Sequence, residues 1–192
     1  MAATSPPRLA ILLSGSGRTL LNIHDHILSG DLPAEIALVI ASRPCAGAER
    51  AAECGLQVRV IQGDIPLEAL THLFHEHAID WVVLAGYLRK LPIPPGFEGR
   101  VVNIHPALLP RYGGPGMYAE RVHAAVLASG DAESGCTVHL AGADYDTGPI
   151  ILQKRCPVLP GDTPATLAAR VFELETQAYP EALKLLIARS VP

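Results

Sequence analysis

Short, continuous runs of apolar residues alternate with stretches of helical spacing along the first half of the chain. The runs lie at Leu9–Leu13, Ile36–Ala41, Val58–Ile61, Trp81–Ala85 and Val101–Ile104. Strands that are buried on both faces have this composition. Because strands that alternate with helices at this pitch are joined by right-handed crossovers, the pattern predicts an open, mostly parallel α/β sheet with helices on both faces. Ligands of such sheets bind beyond the carboxyl ends of the strands.

The spacing of apolar residues also predicts the helices and a change of architecture in the second half of the chain. Helices are expected at Thr19–Leu28, Gly47–Cys54, Leu67–His77, Met117–Ala128 and Pro164–Ala188. Pro180 should kink or break the last helix. Two later runs, Thr137–Leu140 and Ile150–Cys156, predict antiparallel neighbours at one edge of the sheet. A length of 192 residues suits a single domain over residues 1–192.

Composition limits the classes of partner. Nineteen acidic and fifteen Lys or Arg residues give a net charge of −4, so no basic surface for nucleic acid is expected. The apolar runs are far shorter than the roughly 18 residues of a membrane span, and the segment Met1–Arg8 lacks the pattern of an export signal. The four cysteines are widely spaced, so no metal site is implied. These features predict a cytoplasmic protein.

A glycine-containing loop, Ser14–Thr19, follows the first predicted strand and opens the first predicted helix. Glycines let the backbone approach an anion, and the free N–H groups of a helix N-terminus favour phosphate there. The loop lacks the Lys of a P-loop, and Leu20 stands where the dinucleotide fingerprint requires a third glycine. A monophosphate is therefore the predicted ligand, and a strand-to-helix turn without a ligand is the alternative.

Two further segments carry groups suited to acyl transfer. Asn103 and His105 end a buried strand and point to the same side of it. An amide and an imidazole placed in this way can hydrogen-bond an oxyanion and move a proton. A carboxylate of the turn 144–149, which contains Asp144 and Asp146, could reach the imidazole and raise its pKa above the reference value of roughly 6.5. The alternatives are a structural histidine and an ordinary Asp-containing turn.

Four motifs together resemble the phosphoribosylglycinamide formyltransferases, which are folate-dependent formyl transferases. They are the Ser-Gly-x-Gly loop, Val83–Arg89, Asn103–Pro110 and Asp146-x-Gly148-Pro149, and the resemblance extends from about Leu9 to Ala188. It implies a Rossmann-like formyltransferase fold with an antiparallel edge. It also implies transfer of the formyl group of 10-formyltetrahydrofolate, a co-substrate, to the amine of 5-phosphoribosylglycinamide, the third step of de novo purine biosynthesis.

The resemblance implies a role for each matching residue. Asn103, His105 and Asp146 match the catalytic residues of the family. The substrate-binding positions are Gly15, Ser16, Gly17, Arg18, Thr19 and Glu175. The folate-binding positions are Leu88, Arg89, Lys90, Leu91, Asn103, Gly142, Ala143, Asp144, Tyr145 and Asp146. His139 is a further candidate near the catalytic residues.

Other functions remain open on the sequence alone. A formyltetrahydrofolate hydrolase shares the Asn-x-His and Asp residues, although such enzymes normally carry an extra domain. A non-catalytic module that binds sugar phosphate or folate would need neither His105 nor Asp146. The expected partners are small-molecule substrates, without metal, nucleic acid or membrane, and the protein is expected to be a monomer or homodimer.

Overall fold

The computed structural model describes residues 5–190, which form seven strands and five helices. The strands are β1 (Arg8–Leu13), β2 (Glu35–Ala41), β3 (Val58–Val60), β4 (Trp81–Leu84), β5 (Val101–His105), β6 (Glu133–Leu140) and β7 (Ile150–Pro157). The helices are α1 (Arg18–Leu28), α2 (Ala46–Glu53), α3 (Leu67–Glu76), α4 (Glu120–Ser129) and α5 (Pro164–Ser190). Each predicted element is present. Over residues 5–190, no helix combines the length and apolar character needed to cross a membrane.

The bounds differ from the prediction by more than two residues only at the starts of α4 and β6. Helix α4 begins at Glu120 instead of Met117, because Ala119 has φ 50° and ψ −133°, outside the helical region. Strand β6 begins four residues earlier than predicted. Its first part, from Glu133, is small and polar, so its strand conformation comes from pairing with β7 and not from an apolar run.

The strands are ordered β3-β2-β1-β4-β5-β6-β7 in one sheet. Strand β1 pairs in parallel with β2 and β4, β2 pairs in parallel with β3, and β6 pairs with β7 in the antiparallel sense. The predicted fold class, a mostly parallel sheet with an antiparallel edge, is confirmed. The chain divides into two compact units, one up to Val102 and from Lys184 onward, the other Asn103–Leu183.

The first unit contains the parallel strands. Residues Leu9–Leu13 of β1 and Leu38–Ala41 of β2 are completely buried. Apolar helix residues contribute to the same core, among them Leu20 of α1 and Phe74 of α3. Continuous burial explains why these strands read as unbroken apolar runs in the sequence. It also means that only the loops at the strand ends can hold a ligand.

The second unit contains β6, β7, α4 and most of α5. Helix α5 runs from Pro164 to Ser190 with Pro180 inside it, so of the two predicted outcomes, a kink or a break, the break does not occur. A proline removes one backbone donor and crowds the preceding turn. Its neighbours Tyr179 and Ala182 are fully buried, and this packing stabilises the helix across the proline.

Candidate active site

The glycine loop joins β1 to α1 and approaches the start of α2 closely. Gly17 has φ +76°, and a Cβ placed on it would lie 2.6 Å from the Cα of Gly47. The Gly47 N–H donates to the Gly15 carbonyl at 2.9 Å. Only glycine fits this approach. Gly17 is the N-cap of α1 and offers no side-chain hydrogen bond to the helix, which suits binding of an anion by the first N–H groups.

Two arginines hold the carbonyl groups of the same loop. The Arg43 Nε–H donates to the Ser14 carbonyl at 2.9 Å, and an Arg50 Nη1–H donates to the Ser16 carbonyl at 2.7 Å. Both side chains bring positive charge to the loop. Sequence reasoning missed these arginines and Gly47. Their place in the sequence could have indicated them. They follow β2, and the turns that follow two adjacent parallel strands lie side by side.

The predicted folate-binding segment Leu88–Leu91 follows β4 as irregular structure. A buried hydroxyl connects it to the glycine loop: Ser14 Oγ accepts from the Leu88 N–H at 3.0 Å and from the Ser42 hydroxyl at 2.7 Å. Leu88 is 55% exposed, whereas Leu91 is buried. Arg89 pairs with Asp64 at 3.1 Å. The exposed part of the segment, which includes Lys90, is thus held on a fixed backbone.

The structure brings together the three predicted catalytic residues. Asn103 and His105 lie at the end of β5, and Asp146 lies in the loop between β6 and β7. His105 Nδ1 is 3.5 Å from Asp146 Oδ2, and the Asn103 amide donates to Asp146 Oδ1 at 3.4 Å. The side chains of His105 and Asp146 are only 5% and 9% exposed. The cluster is therefore largely shielded from water, which strengthens its electrostatic interactions.

His139 fixes the orientation of the Asn103 amide. Its Nδ1 lies 2.9 Å from the Leu140 carbonyl, so this nitrogen carries the proton and Nε2 is an acceptor in the neutral ring. Asn103 Nδ2 lies 3.1 Å from that Nε2 and donates to it. The amide nitrogen of Asn103 is thereby directed toward both His139 and Asp146.

Backbone groups of the loop after β5 complete the cluster. His105 Nε2 donates to the Tyr112 carbonyl at 2.7 Å, and the Gly114 N–H donates to Asp146 Oδ2 at 2.9 Å. Tyr112 and Asp146 both have left-handed backbones, with φ 58° and 57°. Sequence reasoning missed these contacts because a backbone donor or acceptor leaves no signature in the residue type.

The pKa of His105 is displaced in the direction opposite to the prediction. Burial lowers it, and this effect outweighs Asp146 and the Tyr112 carbonyl, which both raise it. The expectation that Asp146 holds this pKa above its reference value is therefore wrong in its net direction. His105 is a neutral imidazole near neutral pH, and its Nδ1 can accept a proton beside a carboxylate.

The pKa of Asp146 lies below its ordinary value although the side chain is buried. Burial raises the pKa, but the His139 and His105 rings, which attract the carboxylate in their protonated forms, and the hydrogen bond from the Gly114 N–H together lower it by a larger amount. Asp146 is consequently ionised near neutral pH. A carboxylate next to a neutral imidazole stabilises the imidazolium that forms when the ring accepts a proton.

The remaining predicted residues lie at the start of α1, on the turn after β6 and on α5. Gly142, Ala143, Asp144 and Tyr145 are exposed in that turn, where the Thr147 hydroxyl donates to the Asp144 carbonyl at 3.2 Å. Glu175 lies on α5 and is partly buried. Burial first, and then the charge of Glu175, raise the pKa of Cys136 to about 12. This places the Glu175 carboxylate near β6. Arg18 and Thr19 begin α1.

Known proteins resemble this chain over most of its length. A family profile described as formyl transferase matches residues 7–183. Phosphoribosylglycinamide formyltransferase of Haemophilus influenzae is 36% identical over 92% of this chain and 85% of its own length. The chloroplastic protein of that name from Arabidopsis thaliana is 38% identical over 92% of this chain, which spans 64% of the plant protein. Glycinamide ribonucleotide transformylase 1 of Symbiobacterium toebii aligns with a TM-score of 0.87 at 36% identity, over 96% of this chain and 89% of its own.

Proposed function

The chain belongs to the formyl transferase family, and we propose that it transfers the formyl group of 10-formyltetrahydrofolate to the amine of 5-phosphoribosylglycinamide, in the third step of de novo purine biosynthesis. The convergence of Asn103, His105 and Asp146 in one buried cluster carries this proposal. Relatives that are named phosphoribosylglycinamide formyltransferase support the choice of acceptor.

The proposed reaction is an acyl transfer through a tetrahedral intermediate. The amine of the acceptor attacks the formyl carbon, and negative charge develops on the formyl oxygen. His105 accepts the proton that the amine loses, at Nδ1 beside Asp146, and later releases it to the folate nitrogen as the carbon–nitrogen bond breaks. Positioning of the two substrates supplies much of the remaining acceleration.

Asn103 is the proposed donor to the developing oxyanion. Its hydrogen bond to Asp146 is long, at 3.4 Å, so this N–H can be redirected to the oxyanion at small cost. The bond to His139, at 3.1 Å, keeps the amide in place meanwhile. One oriented donor of this type contributes on the order of 3 kcal/mol to transition-state stabilisation.

We propose the following division of binding roles. The glycine loop, Gly15–Thr19, binds the phosphate of the acceptor, and Glu175 contacts the same ribonucleotide. The exposed segments Leu88–Leu91 and Gly142–Asp146 bind the folate. The proposal further includes a single domain that acts in the cytoplasm on small molecules, as a monomer or homodimer, without a metal.

An absorbance assay of the purified protein tests the proposed reaction. Loss of 10-formyltetrahydrofolate is followed with 5-phosphoribosylglycinamide present and then absent. We expect turnover only when both substrates are present. Equal turnover without the acceptor would identify a hydrolase, and binding of both compounds without turnover would identify a binding module.

Replacement of Gly17 by Ala should weaken binding of the acceptor about tenfold or more, or about 1.4 kcal/mol. The new methyl group would meet the Gly47 backbone at 2.6 Å and displace the loop that binds phosphate. Isothermal titration calorimetry with 5-phosphoribosylglycinamide and with its dephosphorylated form measures the effect. The variant should also lose most of the preference for the phosphorylated compound.

Gly30→Ala is the matched control for this substitution. Gly30 has nearly the same φ, +77°, but no heavy atom lies within 4 Å of the position that an added methyl group would occupy. Gly30→Ala therefore introduces the same backbone strain without the steric conflict. The affinity of this variant for 5-phosphoribosylglycinamide should stay within about twofold of the wild type. Equal affinities of wild type and Gly17→Ala would show that the loop is only a turn.

A further inference from the structure

The side chain of Tyr112 belongs to a polar cluster that contains none of the three proposed catalytic residues. Its hydroxyl donates to Asp131 Oδ2 at 2.6 Å, accepts from Arg111 Nη2 at 2.9 Å and lies 2.6 Å from Ser129 Oγ. Arg111 also pairs with Asp131 at 2.9 Å. The phenol is therefore fixed by charged and hydroxyl groups at the end of α4 and just before β6.

The main chain of the same residue contacts the catalytic cluster. The Tyr112 carbonyl accepts the hydrogen bond from His105 Nε2 at 2.7 Å. Tyr112 has φ 58°, a left-handed conformation that a bulky residue adopts only where its surroundings hold it. The contacts of the hydroxyl with Asp131 and Arg111 hold Tyr112 in this way, because they anchor its side chain while its backbone is in an unfavourable conformation.

We propose that the Tyr112 hydroxyl and Asp131 are positioning residues for His105. They hold the Tyr112 carbonyl against Nε2, so that the other ring nitrogen, Nδ1, faces Asp146 and exchanges the proton. This inference rests on the proposed function of His105 as the proton carrier. The inference gives the part of the loop after β5 that contains Tyr112 a role that the sequence did not predict.

The carbonyl also affects the charge state of the ring. The groups around His105 are the Asp146 carboxylate, the His139 and His123 rings and the Tyr112 carbonyl. Burial has the largest effect on the pKa of His105 and lowers it, the carboxylate and the carbonyl raise it, and His139 lowers it. Release of the carbonyl would therefore lower this pKa further and leave the Nε2 proton without its acceptor.

Tyr112→Phe isolates the effect, because it removes only the hydroxyl. We expect kcat at pH 7 to fall about tenfold, less than the roughly hundredfold cost of a 1 Å misplacement, with the KM of both substrates within about twofold. Titration of His105 by nuclear magnetic resonance should show a pKa below that of the wild type. Asp131→Asn, which keeps an acceptor for the hydroxyl but removes the charge that Arg111 pairs with, should give a smaller change in the same direction.

Glu133→Gln is the control, because Glu133 is an exposed carboxylate on the same stretch of chain and pairs with Arg155 instead. It should keep the wild-type kcat and the wild-type His105 titration. If Tyr112→Phe fails to fold, Ser129→Ala takes its place, because it removes one neighbour of the Tyr112 hydroxyl. The pKa of His105 in this variant is measured by the same titration. An unchanged titration in the folded variant would overturn the positioning role. If the His105 titration shifts in Tyr112→Phe but the wild-type protein catalyses no formyl transfer, the positioning of His105 is supported and the proposed function is contradicted.

Discussion

Replacement of His105 by Asn is expected to lower kcat for formyl transfer by about 10²- to 10⁴-fold. An amide side chain cannot exchange a proton at neutral pH, yet it is uncharged like the neutral imidazole, and its N–H lies near the position of Nδ1, from which it can donate to Asp146. The backbone around the site should therefore remain in place, and affinity for 5-phosphoribosylglycinamide should change by only a few fold.

Steady-state kinetics and calorimetry on the same preparation separate these two effects. His77→Asn is the matched control. His77 is also buried, and its Nε2 has no hydrogen-bond partner within residues 5–190, so the same substitution there replaces a buried histidine of the first unit without removing a contact of the proposed catalytic cluster. It should leave kcat near the wild-type value. Turnover of His105→Asn within about threefold of the wild type would remove the proton-transfer role of this histidine.

The sequence predicts the fold and two of the three clustered residues, Asn103 and His105, because both depend on local patterns. Unbroken apolar runs such as Leu9–Leu13 identify buried parallel strands. The two-residue period of a strand places Asn103 and His105 on one side, where Asp146 meets them. The presence of Asp146 in the cluster came from the family resemblance, since no local pattern joins positions 105 and 146.

Features that depend on tertiary structure could not be predicted. Whether the pKa of His105 rises or falls depends on the balance between burial and Asp146, and the degree of burial is not a property of the sequence motif. The approach of Gly47 to Gly17 and the acceptor supplied by the Tyr112 carbonyl involve backbone atoms, which every residue has. The continuity of α5 through Pro180 likewise reflects packing that outweighs local preference.

Replacement of Asp146 by Asn should lower kcat about 10²-fold and move the acid limb of its pH profile to lower pH. The carboxylate, at 3.5 Å from His105 Nδ1, stabilises the imidazolium form, so its loss disfavours proton uptake by the ring. Because Asp146 raises the pKa of His105, removal of its charge lowers that pKa. The neutral base then persists at lower pH, although it is a weaker base.

Profiles of kcat and of kcat/KM from about pH 5 to 9 measure both changes, and Asp162→Asn controls for loss of a paired carboxylate in the same unit. Asp162 accepts hydrogen bonds from Arg170, Leu159 and Thr166, so its replacement should lower Tm while the rate and the acid limb stay unchanged. A limb that moves to higher pH in Asp146→Asn would mean that Asp146 does not stabilise the charged ring. An unaltered kcat would mean that His105 needs no carboxylate partner, and the proposed proton transfer would then lack its electrostatic support.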